Sequence, residues 1–370
     1  MSKRYLTLQF LGFLMFFSET EAQSLYQKSI KVSYEIGPLI SNGTEWGDQV
    51  KDLVTYRGID VQFSWRDFSQ NVYSSLYRHP RYGLGLNSTL FYSKEIGQPI
   101  SVYGFFDIPF THPKPDQKVE WGYFSQIGMG FNLKPYDPEN NPINQYIGSK
   151  INSYIHLGFY SSISFSSRIE GIATMGLKHY SNGSTKKPNA GINLFPVSLG
   201  VNFKLGEQMD PRVSKPLIAP FQTRRFWNFA LYTGIKNYEV GAPSYFRGGA
   251  GINYLIQPDY KYKFGIGMDF FWAQGMNLRF PDGKHSFSDQ TSVAIVGSWE
   301  WQLSENLYLP IGFGVYLSRN ELNQEVTPYY ERVGVRYRFA NNLFTGLQIK
   351  AHKAKADFFE FTVGYTLPTR

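Results

Sequence analysis

Residues 194–205 have the sequence LFPVSLGVNFKL, in which apolar and polar side chains alternate. The odd positions are apolar from Phe195 to Leu205, whereas the even positions include Ser198, Asn202 and Lys204. Successive side chains of a strand point to opposite faces, so the odd positions form one continuous apolar face. An apolar outer face opposite a polar inner face is typical of a strand in a membrane barrel.

Similar alternation recurs along the chain, mostly in runs of ten or more residues, which suits tilted strands that cross a bilayer. We predict strands near 30–40, 53–66, 81–93, 99–111, 118–133, 151–167, 171–181, 194–205, 224–239, 245–256, 260–274, 291–303, 307–319, 328–340, 343–354 and 356–367. Short turns and longer loops alternate between most of these strands, as in outer-membrane barrels. The sequence therefore predicts an all-β, antiparallel, transmembrane outer-membrane β-barrel of about 16 strands.

The number of barrels depends on how the strands close. One barrel of sixteen strands hides every strand edge with one seam, whereas two barrels of eight must close separately, so a single barrel is slightly favoured. The proline-rich segment 206–223 favours two barrels and divides the chain into halves. We assign 1–22 to a signal peptide, 23–205 to the half that carries the candidate site, and 206–370 to a second barrel half.

Composition and the first residues indicate the compartment. A basic start, the apolar run 5–17 and a cleavage site ending at Ala22 predict a secretory signal, because this run is too short to span a bilayer. The chain has no cysteine, which excludes disulfides and thiolate metal sites. Its net charge of +8 is dispersed, so we expect no nucleic-acid partner. These features predict the cell outer membrane, where lipopolysaccharide is the anionic partner.

Candidate chemistry lies in the sequence KHYSNG at 178–183. His179 and Ser181 are two positions apart on one strand, so both point to the same face with Cα atoms roughly 7 Å apart. A base beside a hydroxyl is the minimal pair for nucleophilic catalysis, although strands also contain such pairs by chance. Met175 and Leu177 have the same parity, which places the pair at the outer end of the lipid-facing surface.

The segment HYSN at 179–182, followed by KPN at 187–189 and Gly191, resembles the lipid A 3-O-deacylase (PagL-type acyloxyacyl hydrolase) family. The resemblance implies Ser181 as the nucleophile, His179 as the general base and Asn182 as the oxyanion donor. It places the third catalytic residue at Asn193, where the family has an acid. An amide can orient the imidazole but cannot neutralise an imidazolium. Asp137 and Glu139 are unsupported alternatives, and Glu170 lies at the far end of its strand.

We therefore predict an outer-membrane serine esterase that removes an ester-linked acyl chain from lipid A in the outer leaflet. The acyl chain is expected to lie along Met175, Leu177, Phe195 and Val197, and the reaction requires no metal or other cofactor. The alternative is a noncatalytic outer-membrane porin or structural β-barrel. In the second half, Ala354 stands where a serine would be needed after His352, so a structural, lumenal role is favoured for that histidine.

Overall fold

A computed structural model describes residues 26–41, 47–48, 51, 55–69, 71–114, 117–206 and 218–369. The predicted signal peptide 1–22 lies outside the described residues. The strands are β1 Tyr26–Ile40, β2 Thr55–Asp67, β3 Arg81–Leu90, β4 Gly97–Pro109, β5 Val119–Leu133, β6 Asn152–Ser164, β7 Ile169–Ser181, β8 Ile192–Leu194, β9 Val197–Leu205, β10 Arg224–Asn237, β11 Ser244–Gln257, β12 Tyr262–Ala273, β13 Thr291–Gln302, β14 Leu307–Ser318, β15 Tyr329–Arg338, β16 Leu343–His352 and β17 Lys355–Thr369. The helices are α1 Val72–Leu76 and α2 Met276–Arg279, with 3-10 turns at Phe287–Gln290 and Glu321–Asn323. Within these ranges, no helix has the length and apolar character needed to cross a membrane.

The strands close into two antiparallel barrels. In the first, β1 pairs with β2 along one edge and with β8 and β9 along the other, so that Ile30 lies opposite both Phe63 and Phe203. In the second, β10 pairs with β11 and with β17. The all-β barrel prediction is confirmed, but the slightly favoured single sixteen-stranded wall is not the arrangement found. The backbone groups along the edge of β9 already form hydrogen bonds with β1, so this edge is not available to pair with β10.

The last strand of the first barrel is interrupted. The sequence predicted one strand over 194–205, but the structure has β8 and β9 separated at Phe195 and Pro196. Proline has no backbone N–H to donate to a ladder, which explains the break. The Pro196 carbonyl still accepts a hydrogen bond of 3.2 Å from the Gly176 N–H of β7. The interruption leaves Asn193 on the short strand β8.

Charged side chains fill both barrel interiors. In the first barrel, buried Lys178 forms an ion pair with Glu35. In the second, the Arg332 guanidinium lies 2.6 Å from both Asp269 and Glu360. An eight-stranded barrel is just wide enough for its interior side chains to fill it. These ionic cores resemble a packed interior more than the aqueous channel that the porin alternative requires.

The two barrels contact each other at both ends. At one end, the connection after β2 forms α1, and Tyr77 beyond it accepts a hydrogen bond of 2.7 Å from the Trp301 indole N–H of β13. At the other end, the Asn237 N–H donates to the Ser184 carbonyl oxygen at 2.8 Å. The barrels therefore lie side by side. The connection 67–80 is long for a turn between barrel strands because it supplies one of these contacts.

Candidate functional site

His179 and Ser181 lie at the C-terminal end of β7, where this strand pairs with β6. Ile155 lies opposite His179 and Ser153 opposite Ser181, and side chains of directly paired residues share a face. Leu177, two positions earlier, is 57% exposed on the outer wall. By strand alternation, His179 and Ser181 also belong to that outer face, whereas Lys178, which precedes them, is buried in the lumen.

The imidazole of His179 is oriented by Asn193. Its Nδ1 lies 2.6 Å from the Asn193 side-chain oxygen, and the two residues are direct partners across β7 and β8. With the amide oxygen as acceptor, Nδ1 carries the proton and Nε2 has a lone pair that can accept another proton. The geometry therefore gives His179 the tautomer that a general base needs.

Ser181 is buried, and it contacts Ser153 on the paired strand. The two hydroxyl oxygens lie 3.4 Å apart, and the Ser153 hydroxyl donates to the Ser181 carbonyl oxygen at 2.8 Å. None of the hydrogen bonds formed by the described residues joins Ser181 to His179. Catalytic hydrogen bonds are often long or poorly aligned without substrate, so both side chains remain candidates on the same outward face.

Asn182 organises the loop that follows the serine. Its backbone N–H donates to the Asn189 side-chain oxygen at 2.9 Å, and its side-chain amide donates to the Lys186 carbonyl at 2.7 Å. The backbone N–H is therefore already used. Only the second N–H of the Asn182 amide is left to stabilise an oxyanion, in addition to its role in shaping the loop.

Gly191 packs against the edge of the imidazole. A β-carbon at this position would lie 2.6 Å from His179 Cε1 and 3.4 Å from Nε2, and the glycine has a φ of +77°. Both the close approach and the left-handed backbone require glycine. The Gly191 N–H also donates to the Tyr146 carbonyl at 3.0 Å, which ties this segment to the loop between β5 and β6.

The second barrel holds the other side of the same loop. The Ser184 hydroxyl donates to the Ala356 carbonyl at 2.8 Å, and the Lys187 N–H donates to the Asn237 side chain at 3.1 Å. Gly183 lies against the ring of Phe359, which a β-carbon would approach to 2.3 Å. The loop after the serine is thus fixed between two barrels.

An exposed apolar wall runs from the site along the first barrel. Met175 and Leu177 on β7 lie beside Phe195 and Val197, and all four side chains are exposed. Met175 and Val197 are direct partners across the strands. This wall ends at the histidine and serine, so it provides an apolar surface next to polar groups that can perform acyl transfer.

Two of the other carboxylates considered from the sequence, Asp137 and Glu170, are engaged elsewhere. Asp137 accepts hydrogen bonds from the backbone N–H groups of Asn140 and Glu139, which lower the pKa of its carboxyl group. Glu170 forms ion pairs in the lumen with Arg81 at 3.1 Å and Lys204 at 2.7 Å. None of the contacts of the described residues joins an acid to His179.

The remaining histidine of interest lies in the second barrel. His352 is buried in that lumen, with Nε2 3.0 Å from the Tyr316 hydroxyl and Nδ1 3.9 Å from Asp357. Within the described residues, no group of three or more acidic or histidine side chains could hold a metal ion.

Sequence reasoning did not single out Ser153, the ring contact of Gly191 or the contacts from the second barrel. The Ser153 position could have been found, because a short turn between β6 and β7 fixes the register that pairs it with Ser181. The contacts of Asn237 and Phe359 join residues far apart in sequence, and no local pattern indicates them.

A closed barrel with an outward apolar wall and an outward histidine–serine pair defines a candidate membrane-embedded ester hydrolase. The family model "Lipid A 3-O-deacylase (PagL)" matches residues 43–202, and "Acyloxyacyl hydrolase, C-terminal domain" matches residues 225–369. The chain therefore belongs to the lipid A 3-O-deacylase family. It is an ester hydrolase with an outer-membrane β-barrel fold.

Other comparisons add little. No curated protein matches the chain in sequence. Among solved structures, Pseudomonas aeruginosa OccK5 shares 8% identity at a TM-score of 0.22, covering 93% of this chain and 98% of that one. Acinetobacter baumannii outer membrane protein Omp33 shares 7% identity at a TM-score of 0.17, with 94% and 100% covered. Scores this low carry no argument about function.

Proposed function

We propose that the protein hydrolyses an ester-linked acyl chain of lipid A by serine catalysis in the outer leaflet. Ser181 attacks the acyl carbonyl, and His179 Nε2 accepts its proton. The histidine then gives this proton to the sugar oxygen as its bond to the acyl carbon breaks. In a second step a water molecule, whose proton the histidine accepts, releases the fatty acid from the acyl-enzyme. The single observation that carries the proposal is the Asn193–His179 hydrogen bond beside the outward serine.

Three features support the assigned roles. The exposed wall of Met175, Leu177, Phe195 and Val197 gives an acyl chain a surface that leads to the serine. The second N–H of the Asn182 amide is a donor for the developing oxyanion. Asn193 replaces the usual acid of the family, so it orients the imidazole without neutralising the imidazolium.

The test is the mass of lipid A after incubation of purified lipopolysaccharide with the protein in detergent. Wild-type protein should remove one acyl chain, and Ser181→Ala and His179→Ala should remove none while still folding as barrels. Ser288→Ala, a surface change in a loop of the second barrel, is the matched control and should retain activity.

Two outcomes would contradict the proposal. Activity retained by Ser181→Ala would exclude this serine as the nucleophile. Lipid A left unchanged by the wild-type protein across several donor lipopolysaccharides would favour the noncatalytic barrel.

A further inference from the structure

A cavity lined mainly by polar and charged residues lies where the two barrels meet, at the end that carries the site. It has a volume of about 530 Å³ and is lined by Ser184 and Lys187 of the first barrel. The second barrel contributes Lys236, Gln324, Val326, His352, Lys353, Lys355, Ala356 and Asp357. Ser184 is three positions after Ser181, so the cavity borders the loop that follows the candidate nucleophile. Neither barrel alone forms it.

 

A cavity of about 530 Å³ falls within the usual size range of small-molecule sites.

The cavity has an excess of positive charge. Its lining contains four lysines but one aspartate. Asp357 already pairs with Lys236 and, at 3.2 Å, with Lys350. Lys187, Lys353 and Lys355 take part in none of the ion pairs formed by the described residues, so their charges are left for a ligand. Clustered, unneutralised cations attract an anionic group.

One of these lysines lies on a strained turn. Lys353 and Ala354 connect β16 to β17 with φ values of 52° and 57°, and His352 pairs with Lys355 across the turn. A two-residue turn with both φ values positive normally contains asparagine or glycine, which adopt this backbone at lower cost. Lys353 thus places its ammonium group at the cavity despite the backbone strain, whereas asparagine or glycine would adopt this turn more easily but supply no positive charge.

We propose that this cavity binds a phosphate group of the lipid substrate, with Lys187, Lys353 and Lys355 as its cationic ligands. The inference rests on the proposed function, because lipid A is a phosphorylated glucosamine lipid whose ester is cleaved at Ser181. A phosphate held here positions the sugar while the acyl chain follows the outer wall. The second barrel therefore contributes to substrate recognition as well as holding the catalytic loop.

The first test measures binding and does not depend on turnover. Full-length Ser181→Ala protein in detergent is titrated with phosphorylated lipid A and with chemically dephosphorylated lipid A, and tryptophan fluorescence is recorded. We expect the phosphorylated lipid to bind roughly tenfold or more tightly, because charge-assisted hydrogen bonds are the stronger class. Adding Lys353→Gln and Lys355→Gln together should remove this preference. Lys118→Gln, an exposed lysine next to β5 at the opposite end, should retain it.

The second test uses the active protein with the same two lipids. The double lysine variant should raise KM for phosphorylated lipid A without a matching rise for the dephosphorylated lipid, whereas structural damage would affect both. Competition by inorganic phosphate would assign the site to any phosphate group. A preference between the lipids without such competition would assign it to the lipid-borne phosphate.

Equal binding of both lipids by Ser181→Ala, or an equal effect of Lys118→Gln, would overturn the phosphate site. Hydrolysis of both lipids with the same KM would also overturn it while leaving the esterase intact. Loss of the esterase itself would instead appear as no acyl release from either lipid by the wild-type protein, and the binding comparison would still decide the phosphate site.

Discussion

Replacing Asn193 by aspartate should make the enzyme faster. The Asn193 oxygen lies 2.6 Å from His179 Nδ1, so a carboxylate in the same position would face the imidazolium that forms in the proposed mechanism when Ser181 loses its proton. Two unit charges about 4 Å apart attract by about 4 kcal/mol at an effective dielectric constant of about 20. This figure is an upper bound because both side chains are partly exposed.

A hydrogen bond with a charged partner is worth about 1–2 kcal/mol more than a neutral one. Since each 1.4 kcal/mol changes a rate about tenfold, we expect Asn193→Asp to raise kcat roughly 5- to 30-fold. The assay is the initial rate of acyl release from purified lipopolysaccharide in detergent, followed by mass spectrometry. Asn193→Ala should instead lower kcat, because the imidazole loses the acceptor that fixes its tautomer.

The matched control is Ser181→Ala combined with Asn193→Asp, which should be inactive. The reasoning would be refuted if Asn193→Asp were no faster than the wild-type protein while folding normally. Unchanged activity of Asn193→Ala would show, in addition, that the imidazole is not oriented through Nδ1.

Three further changes test other parts of the structure. Gly191→Ala should lower kcat at least tenfold, because its β-carbon would displace the imidazole of His179. Acyl release is measured together with barrel folding, and a loss of activity in a normally folded barrel would show that the effect is confined to the site. Ser153→Ala should lower kcat by a smaller factor, because it removes the hydroxyl that contacts the nucleophile, and equal rates would remove Ser153 from the site. Lys178→Met should destabilise the first barrel by about 3–5 kcal/mol, because it leaves buried Glu35 without its cation. Denaturant unfolding will measure this loss, and an unchanged midpoint would contradict it.

Local pattern was enough to predict most of the barrel wall. The alternation in 194–205 gave the correct outward face, and Leu199 at 69% exposure is its clearest example. Side-chain polarity does not indicate the break at Pro196, because the alternation continues across it, whereas the hydrogen-bond ladder does not. The number of barrels could not be predicted either, because closure depends on which strand edges meet, and alternation is the same in both arrangements.

The parts of the site that share a strand or a neighbouring strand could also be predicted. Strand alternation places His179 and Ser181 on one face, the family resemblance points to Asn193, and the structure brings His179 and Asn193 into contact. The contacts of the loop after Ser181 with Asn237 and Phe359 could not be predicted, because they form only when two separately closed barrels pack together.

The separate closure of the two barrels has a consequence for how the chain folds. The first seam joins residues 178 positions apart, and a contact across the second joins residues 138 positions apart. Doubling the length of a loop raises the entropic cost of closing it by only about 0.6 kcal/mol. Contacts between residues far apart in sequence nevertheless slow folding strongly. Because each barrel closes through strands of its own half of the chain, the first barrel can fold while the second is still unfolded. Because the second barrel fixes the loop after Ser181, the order of assembly would delay catalytic competence until the whole chain has folded.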